Sequence, residues 1–165
     1  MFTEKLGLDR PQDVFARMEQ VNGDGEVVYE RLPDGQDGDP GWIEFWGPEV
    51  AAVKRFGRHV AAEEMLREKQ ESRKGGKKPT LAEMERQIEG YEEKAVEGLA
   101  IRLKAWRLVD KDGVVIDTEA TKEKATQLFS HPGYSYLRTA ALDFVGEPAN
   151  FFTKKSGSSS NSDDE

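Results

Sequence analysis

The longest amphipathic segment of the chain begins at Thr80 and continues to Trp106, and it limits the fold more than any other part of the sequence. Thr80 and Glu83 stand in the pattern T-L-A-E, a capping box in which each side chain bonds the other residue's backbone. Apolar residues then advance by threes and fours: Leu81, Met84, Ile88, Tyr91, Ala95, Leu99, Leu103 and Trp106. The spacing predicts one helix of about 27 residues, about 40 Å long. Such a stripe is normally buried, and only sometimes forms an exposed groove for a partner.

A second helical segment precedes the first. Pro48 suits the first turn of a helix, and an apolar stripe continues from it to about residue 72. Residues 72–80 then interrupt the pattern with two glycines, a proline and four basic residues. A basic patch can contact nucleic acid or an acidic partner, but this composition favours a flexible, solvated connection between helices.

The N-terminal part contains two weaker signals. Apolar positions in residues 11–21 have helical spacing, which favours a short helix, although the stretch can also pair as a strand through the turn N-G-D-G. Residues 26–32 and 41–47 are rich in β-branched and aromatic residues and flank P-D-G-Q-D-G-D-P-G. These two stretches predict one β-hairpin with a long acidic loop.

Aromatic residues of that hairpin need a partner surface, because a lone hairpin is marginal in water. We therefore expect four aromatic side chains to share one core: Trp42, Phe45, Trp46 and Trp106. An aromatic-lined ligand pocket is the alternative, but aromatic residues also dominate ordinary cores.

The C-terminal part predicts an acidic turn and two shorter helices. The turn at residues 110–113 follows the long helix, and Asp117 or Thr118 then caps a short helix. Pro132 starts the last helix, which ends at Gly146.

These segments together predict a mainly α fold of the α+β type, a helical bundle or hairpin of about four helices with one N-terminal β-hairpin. Residues 1–47 form the N-terminal segment with the short helix and the hairpin. Residues 48–152 form the helical domain with its flexible connection at 72–80. Residues 153–165 are polar, have nothing to bury, and are expected to be a disordered C-terminal tail.

Two Asp-Gly turns resemble calcium loops only in part. An EF-hand loop needs oxygen ligands at positions 1, 3, 5, 7, 9 and 12, with glycine at position 6. With Gly113 at position 6, carboxylates occupy positions 3, 5 and 12, but position 1 is Leu108, which has no side-chain oxygen. The loop around Gly25 lacks carboxylates at positions 1 and 12. Both stretches therefore predict turns rather than metal sites.

Composition excludes several classes of function. The chain has 165 residues and a formal net charge of −8, which argues against non-specific nucleic-acid binding. The absence of cysteine excludes disulfides, thiol catalysis and zinc–thiolate sites, and suits a reducing cytoplasm. No apolar run is long enough to span a bilayer, so we expect no membrane partner.

Catalytic signatures are missing from the sequence. It has no phosphate-binding glycine loop, no H-E-x-x-H and no G-x-S-x-G. His59 and His131 have no nucleophile or second histidine at a supporting spacing, so both are interpreted as structural. We predict no catalytic residue, no cofactor and no metal ligand, and a protein that is not an enzyme.

Four aromatic residues near the C-terminus are the candidate partner-binding residues: Tyr134, Tyr136, Phe151 and Phe152. The two phenylalanines follow a helix end and precede the polar tail, so they either fold back on the core or contact a partner. Folding back is favoured, because two adjacent aromatic side chains in water are a liability.

Several motifs follow one another in an order found in a known group of proteins. The first is G-W-I-E-F-W-G-P at residues 41–48, and the second is a turn with Trp106, Asp112 and Gly113. A Thr-capped helix, a pair of phenylalanines and a Ser-rich tail follow them. The order resembles that of small proteins encoded in the tail-gene region of long-tailed bacteriophages, many described as tail assembly chaperones. The likeness covers residues 41–157, whereas residues 1–40 depart from the pattern.

The resemblance implies a non-catalytic chaperone that acts in the host cytoplasm. Such chaperones bind the tape-measure protein, a very long hydrophobic helical chain, before the tail tube polymerises around it. A ribosomal frameshift often makes a longer variant that recruits tail-tube subunits. An acidic helical protein suits this role, because its charge keeps a complex with an apolar client soluble. Self-association is compatible with it.

A structural virion component, such as a tail-tube or head–tail joining subunit, is the alternative function. Tail-tube proteins are dominated by β-sheet, whereas the sequence predicts one hairpin only, and this favours the chaperone.

Overall fold

Four α-helices and six β-strands make up the part of the chain that the structure, a computed structural model, describes, which is residues 14–152. The helices are α1 (Ala51–Arg73), α2 (Leu81–Arg102), α3 (Lys122–Ser130) and α4 (Ser135–Gly146). The strands are β1 (Phe15–Glu19), β2 (Tyr29–Arg31), β3 (Asp37–Pro40), β4 (Trp42–Trp46), β5 (Leu103–Val109) and β6 (Val115–Asp117). The number of helices confirms the predicted four, but the fold mixes helix and sheet and is not a helical bundle with one hairpin.

The main sheet has four strands in the order β1-β4-β5-β6, and all its neighbours are antiparallel. Ile43 on β4 lies opposite both Met18 on β1 and Trp106 on β5. The inner half of α2, together with α3 and α4, covers the sheet face that carries these three residues. Because β4 and β5 are neighbours, the sheet joins the predicted N-terminal segment to the helical domain.

The predicted pairing of residues 26–32 with residues 41–47 is wrong. β2 instead pairs with β3, which consists of residues assigned to the loop. A tight turn at Gly35, with φ of 82°, makes this short hairpin possible. The aromatic strand β4 is left to pair on both sides, with β1 and with β5, as a strand buried in the middle of a sheet must.

The short helix favoured for residues 11–21 is also wrong for its described part, where β1 lies. The stretch is a strand, as in the alternative, but it pairs with β4 and not through the N-G-D-G turn. β1 supplies the backbone partner that one edge of β4 requires. Residues 11–13 lie outside the described part of the chain. The N-G-D-G turn follows β1, and Val21 and Val27 form a bridge across it.

The long helix begins as predicted and ends earlier. Thr80 Oγ1 accepts a hydrogen bond from the Glu83 amide at 3.2 Å, and Glu83 Oε2 accepts one from the Thr80 amide at 3.3 Å, which confirms the capping box. The helix ends at Arg102, and Leu103–Val109 form β5, so the predicted continuation to Trp106 is wrong. The apolar spacing at Leu99, Leu103 and Trp106 fits a helix, but pairing with β4 and β6 stabilises a strand.

The acidic turn is confirmed, and it connects β5 to β6. α3 begins at Lys122 with Thr121 as its cap, so the predicted caps at Asp117 and Thr118 are wrong. Asp117 belongs to β6, where its carboxylate accepts a hydrogen bond from Trp106 Nε1 and pairs with Lys124. The last helix ends at Gly146 as predicted.

The expectation of one shared aromatic core is half confirmed. Phe45 and Trp106 are buried in the core, whereas Trp42 and Trp46 are half-buried on the other face of the sheet. Side chains alternate along β4, so Phe45 points to the core face and Trp42 and Trp46 point to the outer face. Trp106 on β5 lies opposite Ile43 and shares the core face. On the outer face the Arg17 guanidinium lies 3.9 Å from the Trp42 ring centre.

None of the helices within residues 14–152 combines the length and the apolar character needed to cross a membrane. The predicted polar tail, residues 153–165, lies outside the described residues.

Candidate partner-binding groove

A groove of ≈ 530 Å³ opens between the main sheet and the C-terminal helices. We call it the tyrosine groove, and its main apolar lining residues are Val28, Leu108, Ile116, Leu128, Tyr134 and Tyr136. Leu108 and Leu137 are almost completely buried at its base, whereas Ile116 is exposed at its rim. Its size is within the range of ligand-binding clefts. An apolar lining with an exposed rim can accept apolar side chains of another chain.

Gln20 holds one wall of the tyrosine groove in place. Its Nε2 donates to the Val109 carbonyl at 2.8 Å, and its Oε1 accepts from the Val109 amide at 2.8 Å. The side chain therefore bonds the end of β5 as a neighbouring strand would. Gly41 lies against it, and a Cβ at that position would stand 2.3 Å from Gln20 Oε1. This wall is consequently formed before any partner binds.

Tyr134 and Tyr136 form the opposite wall, and their ring centres are 6.2 Å apart. Tyr134 ends a 3-10 turn, Pro132–Tyr134, and its ring packs against His131 at 5.3 Å. His131 Nδ1 accepts a hydrogen bond from the Gly133 amide at 2.9 Å, so this histidine shapes the turn that carries Tyr134. Burial, with Tyr134 nearby, raises the pKa of Tyr136. Its hydroxyl is a hydrogen-bond donor at neutral pH, as that of any tyrosine is.

The structure separates the four aromatic candidates into two places. Both tyrosines line the tyrosine groove. Phe151 is buried in the core, 5.8 Å from the Phe144 ring, and Phe152 beside it is half-buried. Folding back, the favoured outcome for the phenylalanine pair, is confirmed for Phe151. This burial leaves the tyrosines as the stronger candidates for partner contact.

Sequence reasoning missed four of these apolar members of the groove: Val28, Leu108, Ile116 and Leu128. β6, which carries Ile116, is an edge strand of the main sheet, and both Val114 and Ile116 are more than half exposed. Exposed apolar residues on an edge strand are a liability that folded proteins usually avoid. Three apolar residues directly after an Asp-Gly turn, Val114, Val115 and Ile116, were the available signal.

In each acidic turn one side-chain oxygen accepts hydrogen bonds from backbone amides of the same turn. Asp110 Oδ1 accepts from the amides of Asp112 and Val114 at 2.8 and 2.9 Å, and Asn22 Oδ1 does the same for Asp24 and Glu26. Across residues 14–152, no group of three His, Asp or Glu residues could hold a metal ion.

Comparison of the chain with protein-family models, with curated proteins and with solved structures gives no match. The geometry of the tyrosine groove is therefore the basis for its assignment as the candidate site.

Proposed function

We propose that the protein is a non-catalytic tail assembly chaperone of a long-tailed phage, which holds an apolar segment of the tape-measure protein in the tyrosine groove. The single observation that supports it most is the groove itself, a mainly apolar cleft bordered by an edge strand, whose polar members are Gln20, Asn22, Asp110 and Lys111. The resemblance of residues 41–157 supports the identity of the client. The chaperone acts in the host cytoplasm, before the tail tube forms.

The surroundings of the groove suit temporary binding. Its apolar base takes side chains of the client, while a chain with a net charge of −8 keeps the complex soluble. The open rim at Ile116 and Tyr134 lets the client leave when tail-tube subunits arrive. No step of this function requires a catalytic residue or a cofactor.

Replacing Ile116 with glutamate is expected to weaken binding of a tape-measure fragment at least about tenfold, because the client would bury an unpaired charge. Ile116 is exposed in the free protein, so its folding should not change. Val114→Glu is the matched control, since Val114 is similarly exposed two residues away but does not line the groove. Fluorescence anisotropy with labelled tape-measure fragments measures both affinities. Equal affinities of the two variants would exclude the groove as the binding site.

The structural virion component remains the second candidate, because the structure has six strands where the sequence predicted two. β1 and β6 are edges of the main sheet, through which subunits can join strand to strand.

Quantitative mass spectrometry of purified particles separates the two functions. A chaperone that leaves before maturation is expected to be abundant in infected cells and nearly absent from particles. Many copies per particle, in fixed ratio to the tube protein, would instead establish a structural role.

A further inference from the structure

The first strand of the main sheet has one open edge. β1 (Phe15–Glu19) lies at the end of the strand order β1-β4-β5-β6, so within residues 14–152 a strand pairs with it on one side only. It pairs with β4 over five consecutive residues without a register shift. β6, at the other end of the sheet, has three residues and a register shift in its pairing with β5. Short strands and bulges protect an edge from pairing with another chain, so β1 is the less protected edge.

Alternate residues of this stretch direct their backbone groups to the open edge. The Gly47 amide donates to the Val14 carbonyl at 2.7 Å, and the Gln20 amide donates to the Gly41 carbonyl at 2.8 Å. The even-numbered residues therefore face β4 and the residue that precedes it, and the odd-numbered ones face away, because backbone groups alternate along an antiparallel strand. The residues that face the open edge are Phe15, Arg17, Glu19 and Val21. Their amides and carbonyls form no hydrogen bond with another element of the described chain, so they offer a row of donors and acceptors to another strand.

We infer that the open edge of β1 pairs with the same edge of a second copy of this chain, in a two-fold symmetric dimer. A two-fold axis places β1 of each copy side by side and antiparallel, and the two main sheets become one continuous sheet. The contact is closed, because it uses the β1 edge of both copies and leaves none for a third.

Charge selects the register of the two strands. Three registers pair at least three of the four outward-facing residues, and their two-fold axes lie at Arg17, at Met18 or at Glu19. An axis at Arg17 places two arginines opposite each other, and an axis at Glu19 places two glutamates opposite each other. Like charges directly opposite are destabilising. The axis at Met18 places Arg17 of each copy opposite Glu19 of the other, and so it pairs both charged residues of β1.

Arg17 and Glu19 are both able to make this contact. Glu19 is exposed, and within the described part of the chain no cation pairs with it. Arg17 lies 3.7 Å from the Glu44 carboxylate on β4, and its side chain is 54% exposed. A guanidinium has five N–H donors, so Arg17 can bond Glu44 and the second carboxylate together.

The same register adds an apolar pair at each end of the joined strands. It places Phe15, which is 46% exposed, opposite Val21 of the other copy. The Phe15 ring packs edge to face against Trp46 at 6.1 Å, and the Lys104 ammonium lies 4.1 Å from its centre. These contacts position the ring, and an aromatic residue opposite a β-branched one stabilises a pair of strands.

Sedimentation equilibrium of the full chain tests the dimer. The wild-type protein is expected to show a reversible monomer–dimer equilibrium. Glu19→Arg would place arginine opposite arginine at both pairs, and it is expected to weaken dimerisation at least about tenfold. Glu26→Arg is the matched control, because it makes the same charge change at an exposed residue outside the paired stretch and should leave the dimer unchanged. A wild-type protein that stays monomeric at all concentrations would overturn the inference.

Mixing of charge variants tests the register. Arg17→Glu is expected to weaken dimerisation as Glu19→Arg does, since glutamate would then lie opposite glutamate. A mixture of the two variants should form the heterodimer more readily than either forms its own dimer, because opposite charges face each other at every pair. Circular dichroism confirms that Arg17→Glu is folded without its contacts to Trp42 and Glu44. No preference for the heterodimer would overturn the proposed register.

Proline at position 19 tests the pairing of the backbones. The Glu19 amide faces the open edge, so Glu19→Pro removes no bond to β4 but removes a donor of each copy from the dimer contact. It is expected to abolish the dimer at concentrations where Glu19→Ala, which removes only the ion pairs, still dimerises. Circular dichroism confirms that both variants are folded. Equal dimerisation of the two variants would show that the strands do not pair and would overturn the inference.

The inference does not rest on the proposed function. Ile116→Glu changes the tyrosine groove beside β6, at the opposite edge of the sheet, and should leave the dimer intact. Glu19→Arg should in turn leave the affinity for tape-measure fragments unchanged. A dimer that is lost on Ile116→Glu and kept on Glu19→Arg would place the contact at β6 and overturn the inference.

Discussion

Replacing Trp106 with alanine is expected to lower the free energy of unfolding by about 3–5 kcal/mol, the range for removing a large aromatic side chain from a core. Trp106 is 2% exposed, lies opposite Ile43 in the main sheet, and belongs to the core that α2, α3 and α4 cover. Its Nε1 also donates to Asp117 Oδ1 at 3.3 Å, so the change removes a bond between β5 and β6. The cavity would lie at the centre of the sheet, where few neighbours can move to fill it.

Urea denaturation followed by circular dichroism measures this loss without relying on tryptophan fluorescence. Trp42→Ala is the control, because Trp42 is half-buried on the outer sheet face and packs beneath Arg17. It is expected to cost about 1–2 kcal/mol, from partial burial and one cation–π contact. Equal losses for the two variants would mean that Trp106 is not a core residue.

Sequence reasoning succeeded where the signal is local. Three features depend on residues only a few positions apart. They are the capping box at Thr80 and Glu83, the Asp-Gly turn that contains Gly113, and the helix end at Gly146. Capping hydrogen bonds and the positive φ of Gly113 act within one turn of chain, so the sequence contains all that determines them.

It failed where a distant strand decides the local structure. Leu103 and Trp106 continue the apolar spacing of α2, yet they lie in β5 because β4, about sixty residues earlier, offers a backbone to pair with. The described part of residues 11–21 forms a strand for the same reason, since the other edge of β4 needs a partner. Local apolar spacing favours a helix for these residues, and pairing with a distant strand overrides it.

In the candidate site, too, residues close in sequence could be identified from the sequence, and residues that the fold brings together could not. Tyr134 and Tyr136, near neighbours in sequence, are two of the four aromatic residues that the sequence offers for partner contact. The rest of the tyrosine groove comes from residues that lie far apart in the sequence, among them Val28, Leu108, Ile116 and Leu128, and the fold brings them together. Phe151 is also among these four candidates, although folding back is favoured for it, and its packing against Phe144 places it in the core. Burial of this kind depends on where the chain after α4 turns.

Gly113→Ala is expected to destabilise the protein by about 3 kcal/mol, because Gly113 has a positive φ and is buried within its turn. Its φ of 79° costs an alanine about 1–2 kcal/mol. A Cβ there would also stand 2.6 Å from Arg31 Cβ and 2.8 Å from the Arg31 amide nitrogen. That amide donates to the Gly113 carbonyl at 2.8 Å, so the hairpin of β2 and β3 must move and lose this bond, which adds about 1–3 kcal/mol.

Gly25→Ala is the control for Gly113→Ala. The difference between the two losses of stability gives the contribution of the contact with Arg31. Gly25 has nearly the same φ, 78°, but no atom lies within 4 Å of the position its Cβ would occupy. It should therefore cost only the backbone strain of about 1–2 kcal/mol. Because Val28 lies three residues before Arg31 and lines the tyrosine groove, Gly113→Ala should also weaken binding of tape-measure fragments, and Gly25→Ala should not. Urea denaturation and fluorescence anisotropy on the same two variants measure both effects. Equal destabilisation by the two alanines would show that the contact between Gly113 and Arg31 does not hold the β2–β3 hairpin in place.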